Sequence, residues 1–343
     1  MMAEKNMKNI HGIIASVIAD RKAKASRLKA ERIAYAEENI TGYKELSEEI
    51  RKKGLQLGRT AFKGKNSGEY KSVQDELNGL LNEKELLFKN MPEGFFDDVY
   101  TCGVCRDEGF FTEESGKSVR CQCYRQLLAD KLAENFAITE QLGTFETFRT
   151  DVYTLDPNDE DDIKDKNAIA PMSPAEYMSA VLEKCRSFTE NFGKSENRNL
   201  LMWGKSGVGK SFMCNAIACD LIKKGIPVLY VSAPSMLSKA TAITVNDEQR
   251  IEKQEFCDLV RNIDVLIIDD LGTEKQSDTK YQELLEILNE RSRKYGKGLR
   301  TVISTNLSQK NMFRYYDERI ASRIYAEFTS LKFIGENIRF KKK

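Results

Sequence analysis

Two rhythms of apolar and polar positions divide the chain. Up to about residue 90 the apolar residues are sparse, and Val73, Leu77, Leu80, Leu81 and Leu87 recur at the spacing that paints one stripe on a helix. Ala, Lys and Glu dominate 15–57, interrupted by Gly42, Gly54 and Gly58, which predicts helices with a weak core. Met91-Pro92-Glu93-Gly94 is the expected end of this arm. From about 175 the rhythm changes to short apolar runs between helical stretches. Strands are predicted over Arg198–Trp203, Val228–Ser232, Val265–Ile268 and Thr301–Ser304, and helices over 210–224, 249–262 and 279–295. Buried-looking strands alternating with helices predict an α/β fold: a parallel sheet flanked by helices on both faces.

Between these regions lie four closely spaced cysteines (97–126), a helical stretch (122–137) and the acidic run Asp156-Pro-Asn-Asp-Glu-Asp-Asp162, which reads as a surface loop. The expected organisation is a helical N-terminal arm (1–96), a small cysteine module (97–130), a linker (131–174) and a nucleotide-binding domain (175–343).

Composition narrows this picture only slightly. Lys and Arg (54) nearly cancel Asp and Glu (53), so any nucleic-acid-binding surface must be local. Arg21, Lys22, Lys24, Arg27 and Lys29 form such a run, although charges on helices usually make a solvated face. No apolar run approaches the ~20 residues that span a bilayer, and the first residues are too polar for a signal peptide. A cytoplasmic protein without a membrane partner is expected. The single histidine, His11, makes imidazole catalysis improbable and requires any metal site to be built from other ligands.

The candidate chemistry begins at Gly204-Lys205-Ser206-Gly207-Val208-Gly209-Lys210-Ser211, a Walker A pattern lying between a predicted strand and a predicted helix. Its glycines let backbone N–H groups turn toward phosphates, and the helix N-terminus adds a favourable dipole. Lys210 is expected to reach the β- and γ-phosphates of ATP, and the Ser211 hydroxyl to ligate Mg²⁺. The apolar run Val265–Ile268 leads into Asp269 and Asp270. Asp269 is the expected partner of Mg²⁺, and Asp270 is placed to polarise the attacking water. Thr301–Ser304 leads to Thr305 and Asn306, with Asn306 expected to contact the γ-phosphate or that water. Arg319 and Arg323, four apart on one predicted helical face, are candidates for stabilising phosphate charge from a neighbouring subunit, Arg323 being preferred.

Cys102-x2-Cys105 and Cys121-x-Cys123 make two close pairs of thiols, which suits a closed tetrahedral Zn²⁺ site that stabilises the fold and carries no catalysis. Redox dithiols, an iron–sulfur cluster and plain structural cysteines are the alternatives. Cys185, Cys214, Cys219 and Cys257 stand singly in helical-looking stretches and are expected to be buried as small apolar residues.

Taken together, Gly204–Ser211, Val265–Asp270 continued as Leu271-Gly272-Thr273-Glu274, Ser304-Thr-Asn306 and Glu318-Arg-Ile-Ala-Ser-Arg323 resemble the bacterial DnaC/DnaI-type helicase loaders and the related IstB transposition ATPases. The cysteine block is similar to the zinc-bearing region of the DnaI-like branch. The resemblance covers about 97–340 and implies an AAA+ core with little or no C-terminal lid. It also implies a slow ATPase that self-associates through this core, touches single-stranded DNA, and binds the replicative helicase through its N-terminal region. The different function kept beside it is an IstB-like ATPase that binds duplex DNA and recruits a transposase. A mobile-element variant of the loader and a non-replicative chaperone are further readings. Two features matter against the usual patterns: all four proposed zinc ligands are cysteines, where zinc sites of this branch can include a histidine, and the acid-tipped strand ends Asp-Asp in place of the usual Asp-Glu, an ending the loaders share. Arg339 is the only late candidate for a second phosphate-sensing arginine.

Overall fold

A computed structural model describes residues 10–62, 68–88, 91, 94–194, 198–294, 296 and 298–338. The chain divides into two compact units, one formed by 15–121 and the other by 1–14 with 122–343.

The N-terminal unit holds most of α1 (Ile10–Asn39), then α2 (Tyr43–Ala61) and α3 (Gly68–Leu87). Gly42 separates the first two helices in a left-handed conformation (φ 83°) that a side chain rarely adopts. The unit's apolar centre is aromatic. Phe88 stacks on Phe96 with ring centroids 3.7 Å apart, and both approach Tyr43. α3 ends at Leu87, and Phe88 just after it belongs to this cluster. After it comes the antiparallel hairpin of β1 (Phe110–Thr112) and β2 (Ser118–Arg120).

The C-terminal unit begins with α4 (Gln122–Asn135) and continues through α5 (Glu160–Ile169) and α6 (Pro174–Glu190). Then strands and helices alternate: β3 (Asn199–Gly204), α7 (Lys210–Lys223), β4 (Val228–Ser232), α8 (Ala233–Ala240), α9 (Asp247–Asn262), β5 (Val265–Leu271) and α10 (Asp278–Arg293). β6 (Arg300–Thr305), α11 (Gln309–Tyr315), α12 (Glu318–Glu327) and β7 (Phe328–Phe333) complete it. The five strands pair in parallel in the order β4-β5-β6-β3-β7. β3, β5 and β6 are buried almost without interruption, as strands covered on both faces must be. The sequence-predicted α/β sheet is thus present, with β7 added beside β3.

Residues 131–174, expected as a linker, contribute Ile138, Phe145, Phe148, Tyr153 and Ile169 to the core under the sheet. The acidic run starts a helix here. Asp159 caps α5 by accepting from the N–H groups of Asp161 and Asp162, and places Asp162 and Asp165 inward. α6 starts at a complete capping box between Ser173 and Glu176, with Pro174 in the first turn. Among the described residues, no helix is long and apolar enough to cross a membrane.

Candidate nucleotide site

Strand order brings the candidate residues together. β6 lies between β3 and β5, so the loop after β3, the acidic end of β5 and the polar end of β6 share one edge of the sheet. Gly204–Ser211 runs from the end of β3 into the first turn of α7, with Gly209 at the helix cap (φ 95°). A Cβ at Gly209 would lie 2.8 Å from the Tyr153 hydroxyl, which itself donates to the Val208 carbonyl at 2.7 Å. On the other side Ile338 N–H donates to the Gly207 carbonyl at 3.0 Å. Core aromatic residues and the chain after β7 therefore hold the loop in shape.

Lys210 is buried, and its ammonium donates to the carbonyls of Gly204 (2.8 Å) and Lys205 (2.7 Å) and to Asn306 Oδ1 (2.7 Å). Lys205 points away from this cluster and pairs with Asp159 and Asp162, each at 2.7 Å. Partial burial disfavours the charged form, but the hydrogen bonds and charges of the two carboxylates together outweigh it and raise the Lys205 ammonium above its ordinary pKa.

Asp269 lies across from the loop. Its Oδ1 accepts from Ser211 Oγ (3.2 Å), Asp270 N–H (3.2 Å) and Ser304 Oγ, and its Oδ2 accepts from the Tyr230 hydroxyl (2.8 Å). Tyr230 was not singled out in the sequence; only the pairing Ser232↔Asp269 in parallel register, two residues on, sets it beside this acid. Burial, together with nearby acids including Asp269, raises its phenol well above the ordinary value. At the acidic end β5 is irregular. From Ile268 to Leu271 is three steps, against two from Ile303 to Thr305, so β5 carries one extra residue there. Asp270 takes φ 56°, and its N–H donates to Ser304 Oγ at 3.0 Å. Bulges of this kind redirect side chains at a strand end, which explains how two consecutive acids can serve different positions.

Arg319 and Arg323 make their contacts elsewhere. Arg319 pairs with Asp317 at 2.9 Å and lies over the Tyr281 ring, while Arg323 pairs with Glu327 at 2.9 Å, one turn along α12. Arg339 lies outside the described residues.

The thiols of Cys102, Cys105, Cys121 and Cys123 all lie within 4.8 Å of one another. Asp107 shapes the first knuckle: its buried carboxylate accepts from the N–H groups of Thr101 (2.9 Å) and Cys102 (3.0 Å). Gly109 N–H donates to Cys105 Sγ at 3.4 Å, and the Gly109 carbonyl accepts from Cys121 N–H, tying the first pair to the hairpin. A set of four soft sulfur donors fits Zn²⁺. By contrast, Ser211 and Asp269 offer the hard oxygens that Mg²⁺ prefers. Cys185, Cys214, Cys219 and Cys257 are buried, and burial pushes the Cys185 thiol up to about 12.

Residues 184–342 match the family model described as IstB-like ATP binding protein. The replicative helicase loader DnaC of Escherichia coli (strain K12) is 29% identical over 146 residues, which covers 42% of this chain and 56% of that protein. The chromosomal replication initiator protein DnaA of Chlorobaculum tepidum is 30% identical over 135 residues, covering 39% of this chain and 27% of DnaA. The chain thus spans about half the length of the DnaC it matches, and less of DnaA. Of solved structures, DnaI aligns with a TM-score of 0.40 and 19% identity over 58% of this chain and 93% of that one. The DnaC helicase loader aligns at 0.39 and 23%, over 49% and 95%. Residues 184–342 thus match the model of the IstB-like ATP binding proteins, and the C-terminal unit that holds them is similar in sequence to the helicase loader DnaC.

Proposed function

We propose that this chain is an ATP-switched loader of a replicative DNA helicase. The observation that carries the reading is the convergence of Lys210, Ser211, Asp269 and Asn306 at the ends of three adjacent strands. In this reading the N–H groups of 204–211 cradle the phosphates of ATP, and Lys210 exchanges its carbonyl contacts for phosphate oxygens. Ser211 and Asp269 hold Mg²⁺, whose charge screens the phosphates. Asp270 orients and polarises the attacking water, and Asn306, already beside Lys210, contacts the γ-phosphate or that water. Arg323, with Arg319 as the second choice, leaves its intrahelical partner to reach the phosphate of a neighbouring subunit. The cysteine cluster holds a structural zinc, and the N-terminal unit docks the helicase. Single-stranded DNA contacts the assembled AAA+ domains, and hydrolysis, slow because the task is switching, releases a partner.

The similarity to DnaC supports the loader, whereas the IstB-like match supports a second reading as an ATPase that binds duplex DNA and recruits a transposase. Affinity capture from host extract, with ATP and with ADP, separates the two. Nucleotide-dependent recovery of a hexameric replicative helicase supports the loader. Recovery of a transposase instead would overturn it in favour of the second reading.

A further inference from the structure

Just beyond the acids of β5, a buried carboxylate joins the strand end to Tyr316, two residues before the helix carrying both candidate arginines. Glu274 is only 5% exposed. Its Oε2 accepts from Gly272 N–H at 2.9 Å, and its Oε1 accepts from the buried Tyr316 hydroxyl. The backbone carbonyl of the same residue accepts from the Tyr315 hydroxyl, and Gln276 Nε2 donates to the Tyr315 carbonyl at 2.7 Å. Three hydrogen bonds thus clasp 272–276 to 315–316, and the Gly272 bond fixes the Glu274 carboxylate within its own turn.

Each end of the clasp continues into the proposed chemistry. Toward β5, the Asp270 carbonyl accepts from Thr273 N–H (3.2 Å) and Oγ1 (2.8 Å), so the turn from Asp270 to Glu274 is held at both ends. The Leu271 carbonyl accepts from Thr305 Oγ1 at 2.6 Å, which ties the same turn to the residue before Asn306. Toward α12, Tyr316 is followed at once by Asp317, whose carboxylate caps the helix through Arg319 N–H (2.9 Å) and Ile320 N–H (3.3 Å). Arg319 and Arg323 belong to the first turns of that helix.

A carboxylate removed from water is costly unless its bonds are strong. Apolar packing would close this junction with less penalty, but it would not link the two segments directionally. Charge-assisted bonds in a low-dielectric setting are short and orienting, which suits a strut between two elements.

We propose that Glu274 is a positioning residue that couples the turn behind Asp270 to the α12 arginines, so that the state of one ATP site sets how its own subunit presents Arg323 to the next. This rests on the ATPase reading above and on the arginine assignment within it. Movement of the Asp270 turn displaces Gly272 N–H, Glu274 follows, and Tyr316 carries the shift into the cap of α12. Glu274 touches neither nucleotide nor water in this scheme.

The test uses the full chain, with Glu274→Gln, Tyr316→Phe, Arg323→Ala and the double variant Glu274→Gln/Arg323→Ala. Three quantities are read: the affinity for a fluorescent ATP analogue, the melting temperature, and ATP turnover per subunit as protein concentration rises into the assembling range. Glu274→Gln preserves shape but removes the charge. It should bind nucleotide within about twofold of the parent and lose about tenfold of the concentration-dependent turnover, a loss within the usual span of intersite coupling. The double variant should be no slower than Arg323→Ala alone, since both changes interrupt one route. A merely structural Glu274 would instead lower stability and multiply its loss with that of Arg323. Multiplying losses, or Glu274→Gln stimulated by assembly as strongly as the parent, would overturn the proposal. Should Glu274→Gln fold poorly, Tyr316→Phe and its own double with Arg323→Ala decide by the same comparison. A parent chain that binds no ATP sinks the ATPase reading and this inference with it; an active parent with additive variants sinks this inference alone.

Discussion

Lys210 Nζ and Asn306 Oδ1 stand 2.7 Å apart, although 96 positions separate them in the chain. A Lys on the first turn of α7 and an Asn just past β6 meet only because β6 pairs directly with β3. Their functions should nevertheless separate. Lys210→Ala removes the cation proposed to face the phosphates, and ATP binding measured by fluorescence titration should fall below detection. Asn306→Ala should hold affinity within a few-fold while turnover drops by about a hundredfold, the scale for losing one preorganised contact to the reacting group. Equal loss of affinity in both variants would mean that Asn306 serves binding alone.

Tyr230 and Asp269 form the second relationship across strands, 2.8 Å between hydroxyl and carboxylate. The hydroxyl supplies the donor to Oδ2, leaving Oδ1 turned toward Ser211. Tyr230→Phe keeps the ring and removes only that donor, so Asp269 should present its oxygens to Mg²⁺ less uniformly. The Mg²⁺ concentration for half-maximal turnover should rise by about three- to tenfold, consistent with ~1 kcal/mol for one hydrogen bond. Magnesium titration at saturating ATP measures this, and an unchanged midpoint would remove Tyr230 from the site.

The tether of Lys205 to α5 predicts a stability effect. Asp162 is almost wholly inaccessible, and its carboxylate holds both Lys205 Nζ and Asp156 N–H. Asp162→Ala leaves those donors unpartnered by it, at a cost of about 1–2 kcal/mol once the partial exposure of Lys205 is allowed for. The melting temperature should fall by several degrees. Asp161→Ala is the control: its pair with Lys164 is solvent-exposed, so its effect should be close to zero.

The sheet and the glycine-rich loop after β3 were legible because their signals are local. β4 was predicted to the residue, and a Gly-rich turn between apolar strand and helix is readable without tertiary knowledge. The acidic run 156–162 was not, because its composition favours a solvated loop while its role depends on Lys205. The next acid on α5, Asp165, likewise pairs with a distant residue, Lys332. Tyr230 escaped notice for a similar reason: in a buried strand a tyrosine reads as core, and only parallel register sets it beside Asp269. In residues 328–333 the consecutive polar Thr329 and Ser330 break the alternation expected of a strand, in a short stretch straight after a helix, giving β7 little to distinguish it from a turn. Glu274 stood within a recognisable run, yet nothing in that run pointed to Tyr316.

The cysteine cluster carries a prediction that does not involve the nucleotide. Four thiols within 4.8 Å of one another, shaped by Asp107 and the β1–β2 hairpin, should retain about one Zn²⁺ per chain through purification. Metal analysis of Cys121→Ser should show most of it lost, whereas Cys257→Ser, buried far along the chain on α9, should retain it. Zinc-free protein with all four thiols titratable would refute the site.

Arg323 supplies the prediction that reaches beyond one subunit. Its guanidinium pairs with Glu327 at 2.9 Å, an i to i+4 contact between half-exposed side chains that is weak enough to exchange for a phosphate. The pair sits outside the Lys210–Asp269 cluster, so Arg323→Ala should leave ATP affinity unchanged. It should abolish the rise in turnover per subunit with protein concentration, a loss of tenfold or more given what arginine contributes to phosphoryl transfer from a neighbouring chain. Arg323→Lys should not rescue it, because an ammonium lacks the planar fork that engages two phosphate oxygens. If instead Arg319→Ala removes the stimulation and Arg323→Ala retains it, the finger is the residue one turn earlier on the same face of α12.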